Sequence, residues 1–194
     1  MAGGNVDTRS LQETWHGADP EFHIRGASLA DVAVVAGLGS RTFQDSYGPD
    51  NDPGTMKRYL AASFSPEQIA SEIATPTSIF LLACRGSHTI GYAKLDVENI
   101  PDCVSGPKPI RLVRLYMEQG FIGSGYGSAL MKSCLEESCR SGYKTIWLGV
   151  WEQNKRAQRF YQKQGFHPMG THAFFFGREI QKDIIMAKDI SEGG

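Results

Sequence analysis

Apolar and polar residues alternate in two different rhythms along this chain. Ser78–Cys84 and Thr89–Leu95 are strand-like runs rich in Ile, Leu and Phe, and Arg85-Gly86-Ser87-His88 between them predicts a hairpin. Phe22 to Arg25 alternates as a further short strand. Ile110–Met117 and Thr145–Trp151 also favour strands, and Pro168–Phe175 and Ile180–Ala187 flank a turn at Gly177. Helical spacing appears elsewhere. Ser28 with Asp31 resembles a capping box before Val32–Leu38, predicting a helix to about Phe43. Ser65-Pro66-Glu67-Gln68 is a stronger helix start, with proline at the first helical position and glutamine closing the box, and a shorter helix precedes it near Met56 to Ala62. After residue 125, Tyr126, Leu130 and Cys134 lie beside Met131, Leu135 and Cys139 on adjoining helical faces until Gly142. Asn154 fits a helix N-cap and Gly165 the position past that helix. The resulting order is βααβββαβαββ, a single mixed α/β domain over residues 21–190 behind a polar, aperiodic leader at 1–20 that is expected to be flexible.

Composition narrows the function. The 194 residues are 41% hydrophobic with a formal charge of -1, enough for one buried core and without the basic footprint of a nucleic-acid binder. No stretch reaches the apolar length of a membrane span, and residues 1–20 lack a secretory pattern, so the cytoplasm is the expected compartment. Cys84, Cys103, Cys134 and Cys139 have no CxxC spacing, and His16, His23, His88 and His167 lack ligand spacing; no metal site is expected. Cys134 and Cys139 read as core packing.

The chemistry concentrates where the Ile110–Met117 strand breaks into Ile122-Gly123-Ser124-Gly125-Tyr126-Gly127-Ser128 and then starts a helix. Alternate glycines let the main chain approach a ligand, and a helix start offers unpaired N–H groups and a positive dipole end to an anion such as pyrophosphate. The glycines alternate instead of following GxGxxG, and no Gly-Lys-Ser/Thr ending is present, which excludes a dinucleotide fingerprint and a P-loop. A tight strand-to-helix connection with no ligand is the competing reading.

A second constellation follows in Trp151–Phe166, with Asn154 at a helix start and Tyr161 about two turns later on the same face. Together the two segments resemble the GNAT N-acetyltransferase superfamily, whose acetyl-CoA motif is a Q/R-x-x-G-x-G/A turn after the fourth strand, followed by an asparagine and by a tyrosine in F-Y-x-K-x-G-F. The resemblance spans roughly Phe22 to Ile190. It implies a GNAT-like fold with a mixed sheet of about seven strands. Phe-Ser-Pro-Glu-Gln, Gly-Tyr-Ala-Lys-Leu and Gly-Thr-His-Ala-Phe-Phe-Phe-Gly look like the branch containing bacterial polyamine acetyltransferases.

The resemblance also implies roles. Residues 122–128 would hold the pyrophosphate of acetyl-CoA, with Ile122 departing from the usual Gln or Arg. Leu115 and Met117 would offer main-chain groups to the pantetheine arm, and one of them the amide that holds the acetyl carbonyl. Asn154 would bond the pantetheine, and Tyr161 would be the general acid for the leaving thiolate. A glutamate common near the start of the fourth strand is replaced by Arg111, which leaves the base open among Glu98, Asp45, His172 and a water chain. The implied reaction is direct attack by a small-molecule primary amine, with a polyamine as the favoured acceptor on the strength of the branch and of Asp45, Asp50, Asp52, Asp96 and Glu98. A protein α-amino or lysine acetyltransferase and a non-catalytic acyl-CoA sensor are the alternatives. A homodimer is left open.

Overall fold

The computed structural model describes residues 19–97, 100–176 and 179–191. The elements run β1 (Phe22–Gly26), α1 (Val32–Tyr47), α2 (Pro53–Ser63), α3 (Pro66–Ala74), β2 (Ile79–Arg85), β3 (His88–Asp96), β4 (Pro109–Met117), α4 (Tyr126–Arg140), β5 (Thr145–Trp151), α5 (Lys155–Lys163), β6 (His167–Phe176) and β7 (Glu179–Asp189). All seven expected strands are present in a single sheet of order β1-β2-β3-β4-β5-β7-β6. The order departs from βααβββαβαββ at one point. Three helices, not two, precede β2, because the segment near Met56 is a full element of 11 residues, longer than the 9 of α3. Asp52 explains the difference: its carboxylate accepts the Thr55 amide at 2.6 Å and Pro53 fills the first helical position, so the helix starts before its apolar pattern does.

Other starts follow their sequence signals in part. Ser65 accepts the Gln68 amide at 3.2 Å, but Gln68 turns its side chain to Glu72 at 3.0 Å instead of closing the box. Asp31 does reach back to the Ser28 amide, at 2.8 Å, and also takes a two-pronged contact from Arg25 at 2.6 and 3.0 Å. The leader at 1–18, His16, Glu98 and the Gly177 turn lie outside the described residues.

The sheet buries a different cluster on each face. Leu81, Ile90, Leu112, Leu130, Ile146 and Leu148 pack under α4 and α5, while Val35, Leu38, Phe43, Ile69, Leu82 and Tyr92 pack under α1 to α3. Leu130 is fully buried, and truncating such a side chain to alanine costs about 2–5 kcal/mol. On the second face Lys94 is buried because Glu72 and Asp96 lie 3.4 and 3.5 Å away, and Glu72 also accepts Arg114 at 2.6 Å.

Two irregularities of β4 position the site. Lys94 pairs with Arg114 but Leu95 with Leu112, so Val113 is an extra residue, a bulge. The shift in parity turns Leu115 and Met117 to the α4 face, where they join the cluster that holds Leu112. On its other side β4 pairs with β5 in parallel only at Pro109↔Thr145, Ile110↔Ile146 and Arg111↔Trp147, after which the two strands part. β5 continues to Trp151 against β7 alone.

Candidate active site

The glycine turn leads out of that fork. Gly123 and Gly125 both have φ of 89°, a left-handed backbone that suits glycine, and Gly125 is the N-cap of α4. The Ser128 and Ala129 amides share the Gly125 carbonyl at 3.0 and 3.1 Å. Among the described residues, the amides of Gly123, Ser124, Gly125 and Gly127 find no main-chain acceptor. Four donors are thus gathered at the positive end of a 15-residue helix. Gly127 is not required by packing: a Cβ there would meet only Met117 Cγ at 3.7 Å and Phe160 Cε2 at 3.9 Å, ordinary contacts. Glycine inside a helix costs about 1 kcal/mol relative to alanine, so the open backbone at this helix start suits a close-lying ligand better than it suits the fold.

Side chains around the turn have separate duties. The Tyr126 hydroxyl donates to Asp19 at 2.7 Å and its ring lies against Phe22, so its share in holding an anion is through the main chain. Asp19 also accepts Arg85 at 2.7 Å. Ser128 accepts Gln164 Nε2 at 3.2 Å, tying α4 to the end of α5. Ile122 is 40% exposed at the lip.

A cavity of about 190 Å³ at the fork brings together Met117, Ile122 and Asn154 with Thr42, Asp45 and Arg156. Asn154 Oδ1 accepts the Ala157 amide at 3.0 Å, which makes it the α5 cap, and its side-chain amide also hydrogen-bonds Tyr47 beside that cavity. Tyr161 packs with Leu115, Met117 and Phe160 against one apolar cluster, edge-on to Phe160 at 5.3 Å and to Phe166 at 5.8 Å. Burial pushes its pKa well above that of an ordinary phenol, so it keeps its proton at neutral pH. The sequence-derived residues therefore fall into two adjoining groups: the turn at 122–128, and the fork, where Met117 and Asn154 line the small cavity while Leu115 and Tyr161 pack in the apolar cluster next to it.

The opposite face of the fork opens into a groove of about 880 Å³, lined by Val97, Ile100 and Pro101 and by residues of β4 to β7. Arg111 lies in it with its guanidinium 5.0 Å from the Trp147 ring centre. Of the candidate bases, His172 lines the groove, Asp45 lines the small cavity, and Glu98 is not among the described residues. Asp183 also lines the groove and was not found from the sequence. One signal was available: Gly149 interrupts an otherwise strand-forming run, a mark of close approach by another group. Among the described residues there is no group of three or more His, Cys, Asp or Glu that could hold a metal, and no helix is long and apolar enough to cross a membrane.

A left-handed glycine turn thus follows a bulged fourth strand beside a fork closed by an asparagine-capped helix, the arrangement that the sequence resemblance implies. Residues 41–166 match the model of the acetyltransferase (GNAT) family, and the chain belongs to that family. It is an N-acetyltransferase by this membership and by its relatives. An uncharacterized N-acetyltransferase of Lactobacillus delbrueckii subsp. lactis is 30% identical over 161 residues, covering 83% of this chain and 93% of the relative. One from Mycobacterium tuberculosis H37Rv is 30% identical over 163 residues, covering 84% and 99%. Among solved structures, the PaiA N-acetyltransferase of Thermoplasma acidophilum in complex with coenzyme A superposes with a TM-score of 0.73 at 22% identity, over 87% of this chain and 98% of that one. The ribosomal-protein-S18-alanine N-acetyltransferase of Escherichia coli gives 0.66 at 18% identity, over 89% and 96%.

Proposed function

We propose that the protein moves an acetyl group from acetyl-CoA to the primary amine of a small molecule by direct attack. The observation that carries this reading is the parting of β4 and β5 beside four amides of the glycine turn that have no main-chain acceptor. Bound there, acetyl-CoA would supply an activated thioester. The amides of Gly123, Ser124, Gly125 and Gly127, with α4 behind them, suit its pyrophosphate. The β4 edge at Leu115 and Met117 suits the pantetheine arm, and Asn154 Nδ2 is a donor for that arm.

Tyr161 suits the sulfur end. With its pKa raised by burial it is a weaker acid than a free phenol, so it acts by donating a hydrogen bond to the departing sulfur and relaying a proton released by the amine. The cysteines support a single transfer step. Cys84 and Cys134 are buried, Cys139 donates to the Ile190 carbonyl at 3.3 Å, and Cys103 packs against Gly170, so none is presented at the fork as an acyl carrier.

The polyamine form of the acceptor has weaker support in the charges. Asp52 caps α2, and Asp96 is engaged by Thr77, Ser78 and Lys94. Only Asp45 and Asp50 of the described carboxylates counted for it stand exposed without such bonds. Incubation with acetyl-CoA and a panel of primary amines, with products identified by mass spectrometry, tests the proposal. An N-acetylated amine is expected; thiol release with no acetylated amine would overturn it.

A further inference from the structure

We propose that Asp183 receives the ammonium group of the acceptor and takes its proton, and that the surrounding groove selects a primary amine with one positive charge on an apolar body. This rests on the acetyl-transfer reading and names the substrate class of the same site.

Position comes first. Trp147 is the last β5 residue paired with β4, and Gly149 stands two residues beyond it, where the fork has opened. A Cβ on Gly149 would lie 3.1 Å from Asp183 Oδ2, so the carboxylate from β7 occupies the space that a β5 side chain would otherwise take. Glycine at 149 is what lets a carboxylate reach the mouth of the fork on the groove side. Tyr161 packs among the α4-side residues, so acid and base stand on opposite faces of the opening.

Charge comes second. Asp183 makes no hydrogen bond and no ion pair within 4 Å among the described residues. A half-buried carboxylate in that condition is costly unless a ligand brings the counter-charge. Burial raises its pKa, and Arg111 and His172 pull it partly back, which makes it a stronger base than a surface carboxylate. Tyr47 from α1 and Tyr59 from α2 also sense its charge.

Composition comes third. Val97, Ile100, Trp147, Phe174 and Ile185 give the groove apolar walls, and Asp183 is its one carboxylate among the described residues. A second ammonium on the acceptor would find no second carboxylate among the described residues of the groove, and would have to leave water against apolar walls. The proton count closes. Of the three N–H protons of the ammonium, one goes to Asp183 and on to water through the groove. The second goes to the sulfur by way of Tyr161 as the C–N bond forms and the C–S bond breaks, and the third stays on the amide.

The test compares the full-length protein with Asp183→Asn, Gly149→Ala and His172→Gln. The probes are 2-phenylethylamine and spermidine, with thiol release followed from pH 5 to 9 and acetyl-CoA affinity measured by calorimetry. For Asp183→Asn, kcat/KM with 2-phenylethylamine should fall by about 100-fold or more and the acidic limb of its pH profile should vanish. Gly149→Ala, whose methyl group crowds the carboxylate, should lower the same parameter. Acetyl-CoA affinity should be unchanged in both, and His172→Gln should keep the acidic limb. Wild-type protein should prefer 2-phenylethylamine to spermidine. Normal kcat/KM with an intact acidic limb in Asp183→Asn and in Gly149→Ala overturns the base, and a preference for spermidine overturns the substrate class. Either leaves acetyl transfer standing if the wild type releases thiol with an amine; no release with any amine overturns the transfer reading itself.

Discussion

Asn154 Oδ1 accepts the Ala157 amide at 3.0 Å, so the side chain at the fork is the cap of α5, while its Nδ2 group, bonded to Tyr47 beside the small cavity, is the donor proposed for the pantetheine arm. The two roles use different atoms. An Asn154→Ala change should therefore cost about 1 kcal/mol of stability through the lost cap and, separately, raise KM for acetyl-CoA. Asn154→Asp keeps the capping oxygen and removes the donor. It should restore the urea midpoint and leave KM high, whereas a KM that recovers along with stability would reduce Asn154 to a cap.

Gly125 has φ of 89° at the N-cap of α4, in the middle of the amides proposed to hold the pyrophosphate. Valine there meets backbone strain of about 1–2 kcal/mol and places a branched side chain next to the turn. Gly125→Val should lose more than about 2 kcal/mol of acetyl-CoA binding, roughly 30-fold in affinity, with the fold retained by circular dichroism. Calorimetric titration reads this directly, and unchanged affinity would separate the turn from the cofactor.

Tyr161→Phe keeps both edge-on ring contacts and removes only the hydroxyl. Turnover should drop by about 10²–10⁴, with acetyl-CoA affinity nearly intact. A mutant with wild-type turnover under chemistry-limited conditions would show a packing role alone.

Arg25 beside Asp31, together with the Ser28 amide, holds that carboxyl down to about 2 from the usual 3.8. A depressed folded-state pKa means that the stabilisation is complete above about pH 4 and disappears as pH falls toward 2. Since Arg25 is partly exposed, solvent screening limits the effect to roughly 1–2 kcal/mol. Urea unfolding at pH 7 and at pH 2 should show Asp31→Asn less stable than wild type at the first and level with it at the second.

The sequence made the strands and the glycine turn legible because each is written locally: alternating runs, a two-residue hairpin turn, and glycines where φ is positive. Asn154 and Tyr161 were legible because a single helix sets their spacing. The α2 start was misplaced because Asp52 and Pro53 act ahead of any apolar pattern. Asp183 was invisible for a different reason. It belongs to β7, 34 residues after the β5 glycine it covers, and only the β5–β7 pairing in the sheet brings the two together. The bulge at Val113 likewise depends on register with β3, which no local pattern encodes.

The central claim is that the acetyl group passes in one step between two substrates held together. Initial rates measured with acetyl-CoA and the amine varied against each other test this most directly. Double-reciprocal lines that intersect, with no thiol released when the amine is omitted, are the predicted result. Parallel lines, together with a stoichiometric burst of thiol in the absence of amine, would show an acetylated protein intermediate and contradict the account.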